Sequence, residues 1–254
     1  MASNKAYLAD SGLPGGYINS VVRVDDTVRR PQGARADYVH ALLRFLEERG
    51  FEAAPRFLGI DEHEREVLSY IEGHVAWEAQ QPPGVWSDES LLDVTRLVRR
   101  LHDLTAGSDL AGGDEEVCHG DLSPKNTVYR DLGDGYRPVA LIDWDLAHPG
   151  SRVEGVVDML WHFLCPCPKH DTPLLRQRLR GMCDAYGLEH ARRHGLIQQM
   201  RGRMRDVMYG IVLEAARGSL GHQRIMAIGG LDSIRERADW VAANIDNLQA
   251  AVTP

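Results

Sequence analysis

Short runs rich in β-branched residues dominate the first part of the chain. Such runs predict strands, and they cover residues 17–24, 27–30 and 66–71. Between the second and third runs, apolar residues recur at helical spacing, at Val39, Leu42, Leu43 and Leu46. This helix is expected to span residues 38–49 and to end at Gly50. The first part of the chain therefore predicts a small lobe made of strands and one helix.

After residue 73 the pattern becomes mainly helical. Ser87 is placed to cap a helix whose apolar stripe is Leu91, Val94, Val98 and Leu101. Further helices are predicted over residues 173–187, 189–217 and 231–252. The whole pattern predicts an α+β fold, with a β-rich lobe over residues 1–72 and a mostly helical lobe over residues 73–254.

One hairpin interrupts the helical part. Residues 126–130 and 138–143 have the composition of strands, and the Asp134-Gly135 pair between them is a turn signal. Pairing of the two strands would bring Asn126 and Asp143 to neighbouring strand ends.

Composition narrows the class of protein. A chain of 254 residues suits two closely packed lobes, and a hydrophobic content of 43% is enough for a core. There is no basic leader and no apolar run of the ~20 residues needed to cross a bilayer, so we expect a soluble cytoplasmic protein without a membrane partner. The net charge of −8 argues against binding to nucleic acid and would suit a cationic ligand. The four cysteines lack the paired spacing of a zinc site and are expected to be reduced thiols.

The candidate chemistry lies in the segment His-Gly-Asp-Leu-Ser-Pro-Lys-Asn at residues 119–126, followed by Asp143 after the predicted hairpin. Asp121, five residues before Asn126, can hold the hydroxyl of a phosphoryl acceptor. The amide oxygen of Asn126 and the carboxylate of Asp143 are hard oxygen ligands of the kind that Mg²⁺ prefers. The spacing of these groups predicts phosphoryl transfer.

The pattern His-Gly-Asp-x4-Asn followed by Ile-Asp-Trp resembles the aminoglycoside phosphotransferase family. The resemblance implies a bilobal protein-kinase-like fold, ATP or GTP as co-substrate, and a hydroxylated small molecule as acceptor. It assigns His119 to holding the catalytic loop and Asp158 to bracing it. Gly120 stands where protein kinases carry an arginine that pairs with a phosphorylated loop, so we expect no regulation by phosphorylation.

Two further polar residues beside the motif have open roles. Lys125 could contact the γ-phosphate, but a solvated lysine fits the sequence equally well. Asp145, two residues after Asp143, is either a second carboxylate near the metal or an exposed aspartate.

The predicted nucleotide contacts lie mainly in the small lobe. The family resemblance places a phosphate-covering turn at Gly15, Gly16, Asn19 and Ser20, and a hinge that pairs with the purine at Ser69, Tyr70 and Ile71. The third kinase strand usually carries a lysine for the phosphates, whereas this chain has arginines there, and we favour Arg29 over Arg30.

The helix glutamate that normally holds the strand lysine is missing. Val39 and His40 occupy the positions where it should fall, so the usual ion pair is absent or replaced.

Three functions remain open at this stage. The favoured one is O-phosphorylation of an antibiotic or related natural product, which would confer resistance. The second is a housekeeping small-molecule kinase acting on choline, homoserine or a sugar, because the motifs do not distinguish acceptors. The third is a nucleotide-binding pseudokinase, suggested by the missing helix glutamate. The oligomeric state is left open between monomer and dimer.

Overall fold

The computed structural model describes residues 11–12, 21–78, 80–167 and 172–253. The strands are β1 (Ser11–Gly12), β2 (Val22–Val24), β3 (Thr27–Pro31), β4 (Phe57–Ile60), β5 (Arg65–Ser69), β6 (His74–Val75), β7 (Glu116–Cys118), β8 (Thr127–Asp131), β9 (Tyr136–Leu141) and β10 (His148–Gly150). The helices are α1 (Ala36–Glu48), α2 (Asp88–Thr105), α3 (Arg152–Leu164), α4 (Thr172–Tyr186), α5 (His190–Arg193), α6 (Leu196–Ala216), α7 (Leu220–Ala227), α8 (Gly230–Ala243) and α9 (Ile245–Val252). Short 3₁₀ turns cover Asp109–Ala111 and Pro124–Asn126.

The small lobe is an antiparallel sheet with strand order β1-β2-β3-β5-β4, and α1 follows β3 in the chain. Strand β3 lies in the middle of this sheet, and its pairing with β5 sets Arg30 opposite Glu66. The apolar stripe of α1 is buried as its spacing predicted. This lobe therefore presents β3 side chains to the part of the protein that follows.

The rest of the described chain is mainly helical, as predicted, and the α+β class is confirmed. Ser87 accepts a hydrogen bond from the backbone N–H of Ser90 at 3.1 Å and caps α2, which agrees with its predicted role. Beside the helices lie a three-stranded sheet, β6-β8-β9, and the two-stranded ladder of β7 and β10. One apolar core runs through both parts, from Leu42 in α1 through Val98 and Leu160 to Leu248 near the C-terminus. A division near residue 72 stays a prediction.

The predicted hairpin is confirmed, with Thr127 of β8 opposite Leu141 of β9. Two predicted long helices are each divided. The first is broken before α6 by Gly195, whose φ of +71° lies in the left-handed region, and the second is interrupted between α8 and α9 at Asn244. The pattern analysis missed α3, most of whose residues are buried.

None of the helices in the described ranges is long and apolar enough to span a bilayer.

Candidate active site

The candidate catalytic loop, residues 119–126, follows the buried strand β7. Gly120 has a φ of +82°, and a Cβ on it would lie 2.2 Å from the carbonyl oxygen of Leu146. Such a contact is impossible for any residue with a side chain unless the backbone shifts. Glycine is therefore required at this position because two loops approach each other closely there, which also explains the absence of an arginine.

Asp121 and Asn126 lie in direct contact. The Asn126 amide nitrogen donates to the backbone oxygen of Asp121 at 3.0 Å and to its carboxylate Oδ2 at 2.7 Å. These bonds fix the amide so that its own oxygen points away from Asp121. Burial raises the pKa of the Asp121 carboxyl above its ordinary value, although the nearby rings of His162 and His119 oppose the shift. A carboxylate with a raised pKa is better suited to accept a proton near neutral pH.

Asp143 follows the end of β9 and lies close to Asn126. The backbone N–H of Ile142 donates to the carbonyl oxygen of Asn126 at 2.9 Å, so the residues after the two strands are held side by side. Asp143 has a φ of +64°, a left-handed conformation that few residues other than glycine adopt. About half of its side chain, 48%, is exposed. The Asp143 carboxylate and the free amide oxygen of Asn126 form a hard oxygen donor set that fits Mg²⁺.

His119 stabilises the loop through its contacts with Ile142 and Trp144. Its Nε2 donates to the carbonyl oxygen of Ile142 at 3.1 Å, and its ring lies against the buried Trp144 at 4.5 Å between centroids. Burial lowers the pKa of His119, which favours the neutral ring, and the bond to Ile142 requires the hydrogen on Nε2. Its contacts fit the supporting role implied by the family resemblance.

Asp158 and Arg203 hold the other side of the loop. The Asp158 carboxylate accepts from the backbone N–H of Leu122 at 3.2 Å and from the Nε of Arg203 at 3.1 Å. Arg203, on α6, also donates to the carbonyl oxygen of Gly120 at 3.0 Å. Sequence reasoning had singled out Asp158 but not Arg203, because no local motif marks one arginine among several on that helix.

The two arginines of β3 point in different directions. The Arg29 side chain is 31% exposed and lies 3.6 Å from the carboxylate of Asp61. The Arg30 side chain is 7% exposed, and its terminal nitrogens donate to Asp143 at 2.9 Å and to Asp145 at 2.6 Å. Arg30 is therefore the arginine that faces the candidate metal ligands, and these contacts favour it over Arg29 for the phosphate role.

Arg30 is held in this place by a carboxylate from the neighbouring strand. Its Nε donates to the buried Glu66, and the other carboxylate oxygen of Glu66 lies 2.7 Å from the Nε2 of His40 on α1. Burial alone would lower the pKa of Arg30, but the surrounding carboxylates of Asp145, Glu66 and Asp143 outweigh it and raise that pKa. The missing helix glutamate is thus replaced by a glutamate on β5, which sequence reasoning did not find.

Asp145 faces the site rather than solvent alone. Its carboxylate accepts hydrogen bonds from both terminal nitrogens of Arg30, from Nη2 at 2.6 Å and from Nη1 at 3.3 Å. Burial raises the pKa of Asp145, and the attraction of Arg30 acts against this shift. Of the two roles left open by the sequence, the contacts favour the one near the metal ligands.

Only some of the predicted nucleotide contacts lie among the residues that the structure describes. Gly15, Gly16, Asn19 and Ser20 lie outside the described residues. At the predicted hinge, the backbone N–H of Ser69 donates to the backbone carbonyl oxygen of Arg56 at 2.9 Å, and that of Tyr70 donates to the backbone carbonyl oxygen of Asp26 at 2.8 Å. Both donors are therefore engaged within the protein, and a hinge that pairs with a purine stays a prediction.

Lys125 is exposed, and its ammonium lies 5.7 Å from the ring centroid of Trp77. This contact agrees with either of the roles considered for it.

A sequence model described as the phosphotransferase enzyme family matches residues 85–194, the segment that contains the catalytic loop and Asp143. The trifolitoxin immunity protein of Rhizobium leguminosarum bv. trifolii is 31% identical to this chain over 215 residues. That match covers 74% of this chain and 78% of the relative.

Several solved structures share the architecture. A choline/ethanolamine kinase family protein from Mesorhizobium loti superposes with a TM-score of 0.57 at 16% identity, covering 96% of this chain and 92% of the other. The GDP and kanamycin complex of APH(2")-IIia also superposes with a TM-score of 0.57, at 13% identity, covering 98% of this chain and 94% of the other. Macrolide 2'-phosphotransferase MphH from Brachybacterium faecium superposes with a TM-score of 0.51 at 16% identity, covering 95% of this chain and 90% of the other. These likenesses confirm the bilobal, protein-kinase-like fold predicted from the motif.

Proposed function

We propose that this chain, which belongs to the phosphotransferase enzyme family, moves the γ-phosphoryl group of ATP or GTP to a hydroxyl of a small molecule in a Mg²⁺-dependent reaction. One observation carries the proposal. Asp121 contacts Asn126, Asn126 adjoins the strand end that bears Asp143, and Arg30 reaches Asp143 from the opposite lobe. These contacts support a site that combines a candidate base, two candidate oxygen ligands and a cation.

Asp121 serves as the catalytic carboxylate. Its Oδ2 is engaged by Asn126, which leaves the other oxygen for the acceptor hydroxyl. The hydroxyl proton passes to Asp121 as the new O–P bond forms, and the bond to the bridging oxygen breaks to release the nucleoside diphosphate. The raised pKa of Asp121 favours this proton transfer.

Asn126 and Asp143 are the residues that would hold Mg²⁺. When bound there, the ion would neutralise charge on the transferred phosphoryl group and its leaving oxygen. Arg30 holds the remaining phosphate oxygens through its two terminal nitrogens, in the role that a lysine has in kinases. Lys125 and the turn with Gly15, Gly16, Asn19 and Ser20 complete the proposed phosphate contacts, and Ile71 pairs with the purine.

Resistance is the biological role that we favour, with a hydroxylated antibiotic or related natural product as the acceptor. The support is the relative at 31% identity, whose name is that of an immunity protein. A housekeeping kinase is the second candidate, and the fold shared with a choline/ethanolamine kinase family protein is compatible with it. Retention of Asp121, Asn126 and Asp143 counts against a pseudokinase.

The test is a panel of hydroxylated antibiotics and common metabolites, incubated with the protein, Mg²⁺ and either ATP or GTP, and analysed by mass spectrometry for one added phosphoryl group. Asp121→Asn keeps the shape of the side chain but removes the base, and we expect it to lower kcat roughly 10²–10⁴-fold. Asp239→Asn, at an exposed position on α8, is the matched control and should leave the rate unchanged.

Nucleotide binding without any turnover across the panel, in the wild type and both variants, would favour the pseudokinase. Absence of both nucleotide binding and transfer would refute the proposal altogether.

A further inference from the structure

The guanidinium of Arg30 is divided between two tasks. Its Nε, nearest the backbone, donates to Glu66 within the small lobe. Its two terminal nitrogens face the cleft and donate to Asp143 and Asp145. A nucleotide phosphate can therefore replace the two aspartates at the terminal nitrogens while the bond from Nε to Glu66 stays in place. A lysine could not separate the tasks in this way, since it has a single nitrogen.

Glu66 can hold Arg30 only while its own charge is satisfied. Its side chain is 2% exposed, and water cannot compensate a carboxylate at that depth. Each of its oxygens has a separate partner: Oε1 accepts from Arg30, and Oε2 lies 2.7 Å from His40 Nε2. The orientation of the carboxylate is thus fixed from both sides.

His40 is itself held by packing. It lies on the buried face of α1, and its ring stacks on Phe57 of β4 at 3.8 Å between centroids and 19° between planes. The guanidinium of Arg44 lies over the Phe57 ring at 4.6 Å from its centroid. This packing restricts rotation of the imidazole away from Glu66. The position of α1 therefore affects the orientation of Glu66 on β5.

We propose that His40 and Glu66 together form a positioning relay that sets Arg30 for the nucleotide phosphates, in place of a glutamate on α1. The proposal rests on the proposed function and deepens it, because it assigns control of nucleotide affinity to a residue that contacts no nucleotide. Loss of the relay leaves Arg30 held only by Asp143 and Asp145, which compete with the phosphates for its terminal nitrogens, while Arg30 competes with the metal for Asp143. Nucleotide binding weakens as a result, whereas acceptor binding does not.

Two substitutions at residue 40 separate positioning from packing. His40→Phe keeps an aromatic ring on Phe57 but removes the N–H donor, and His40→Gln restores an N–H donor without the ring. We expect His40→Phe to raise KM for the nucleotide roughly tenfold, the usual worth of one hydrogen bond to a charged group. We expect His40→Gln to stay within about threefold of the wild type, and KM for the acceptor to be unchanged in both.

A double-mutant cycle with Glu66→Gln supplies a second measurement. Because the two residues act through one contact, the double variant His40→Phe/Glu66→Gln should bind nucleotide no more weakly than Glu66→Gln alone. The thermal midpoint of every variant is recorded beside its KM. His63→Phe, at an exposed histidine of the same lobe, is the matched control.

The outcomes are distinguishable. A wild-type protein that transfers phosphoryl groups, with a His40→Phe variant that is less stable yet has the same nucleotide KM, would show a purely structural role and overturn the relay. Additive losses in the cycle would also overturn it. A wild-type protein that neither binds nucleotide nor transfers phosphoryl groups would instead refute the proposed function, and the relay with it.

Discussion

Neighbouring arginines on one strand illustrate how much a single position decides. Successive side chains of a β-strand point to opposite faces, so Arg29 and Arg30 cannot share a task. Arg29 stands beside Asp61 near the surface, whereas Arg30 is enclosed by three carboxylates, those of Glu66, Asp143 and Asp145. An arginine suits such a place because its planar donors can satisfy several carboxylates at once.

We therefore predict that Arg30→Ala weakens the binding of the Mg²⁺–nucleotide complex by ~1.5–3 kcal/mol, the worth of a charge-assisted hydrogen bond. Arg29→Ala, one residue away, should change it by less than ~1 kcal/mol because its ion pair is partly exposed. Isothermal titration calorimetry on both variants measures the difference. Equal losses would mean that both arginines reach the phosphates.

The sequence identified candidate residues whose partners are close along the chain, and it missed residues whose partners are distant. Asp121, Asn126 and Asp143 could be proposed from the sequence because a short motif and one hairpin fix their spacing. Glu66 and Arg203 were missed because their partners lie far away in the chain and depend on strand register and helix packing. The sequence could not decide between Arg29 and Arg30 for the same reason, since the orientation of β3 determines which of the two side chains lies beside Asp143.

At the scale of elements, a small ladder fixes the segment that follows Asp143. His148 on β10 lies opposite Cys118 on β7, and its Nε2 is 3.0 Å from the carboxylate of Glu154 in the first turn of α3. This hydrogen bond raises the pKa of His148 and lowers the pKa of Glu154. The pair joins strand β10 to helix α3.

The two shifts define a pH window for stability. His148 has a raised pKa in the folded protein, so its contribution is complete below its ordinary pKa of 6.5 and is lost as pH rises through the folded value. Glu154 has a lowered pKa, so its contribution is present above its ordinary pKa of 4.5 and is lost as pH falls through the folded value. The pair should therefore stabilise the protein most between those two values.

We predict that His148→Gln lowers the free energy of unfolding by about 1 kcal/mol at most near pH 5.5, since both side chains are partly exposed and screened. The difference from the wild type should shrink towards pH 8. Urea titrations at several pH values test this, with His63→Gln at an exposed site as the control. A difference that is the same at pH 5.5 and pH 8 would contradict the assigned pair.

Element boundaries show a similar limit of local pattern. The hairpin and α2 were predictable, because turn residues and the Ser87 cap are local signals. The division at Asn244 was missed because the apolar spacing continues across it, from Val241 to Ile245 and Leu248, whereas Gly195 is a local break signal that the pattern analysis passed over.

At the scale of the whole molecule, the cleft carries a surplus of negative charge. The one guanidinium of Arg30 meets the three carboxylates of Glu66, Asp143 and Asp145, which leaves a net charge of −2 when all are ionised, and Asp121 lies nearby. The chain as a whole has a net charge of −8. A nucleotide that arrives without a metal therefore meets repulsion, and Arg30 is already occupied.

It follows that nucleotide and Mg²⁺ should stabilise the protein only together. A ligand that binds the folded state alone adds RT ln(1 + [L]/Kd), or about 2.7 kcal/mol at a concentration of 100 Kd, so the thermal midpoint should rise with the Mg²⁺–nucleotide complex and hardly at all with nucleotide plus EDTA. Asp143→Asn should abolish this metal dependence, because it removes the charged ligand, whereas Asp239→Asn should retain it. A midpoint that rises equally with and without Mg²⁺ would place the triphosphate on protein cations alone, and it would separate Asp143 from the metal site altogether.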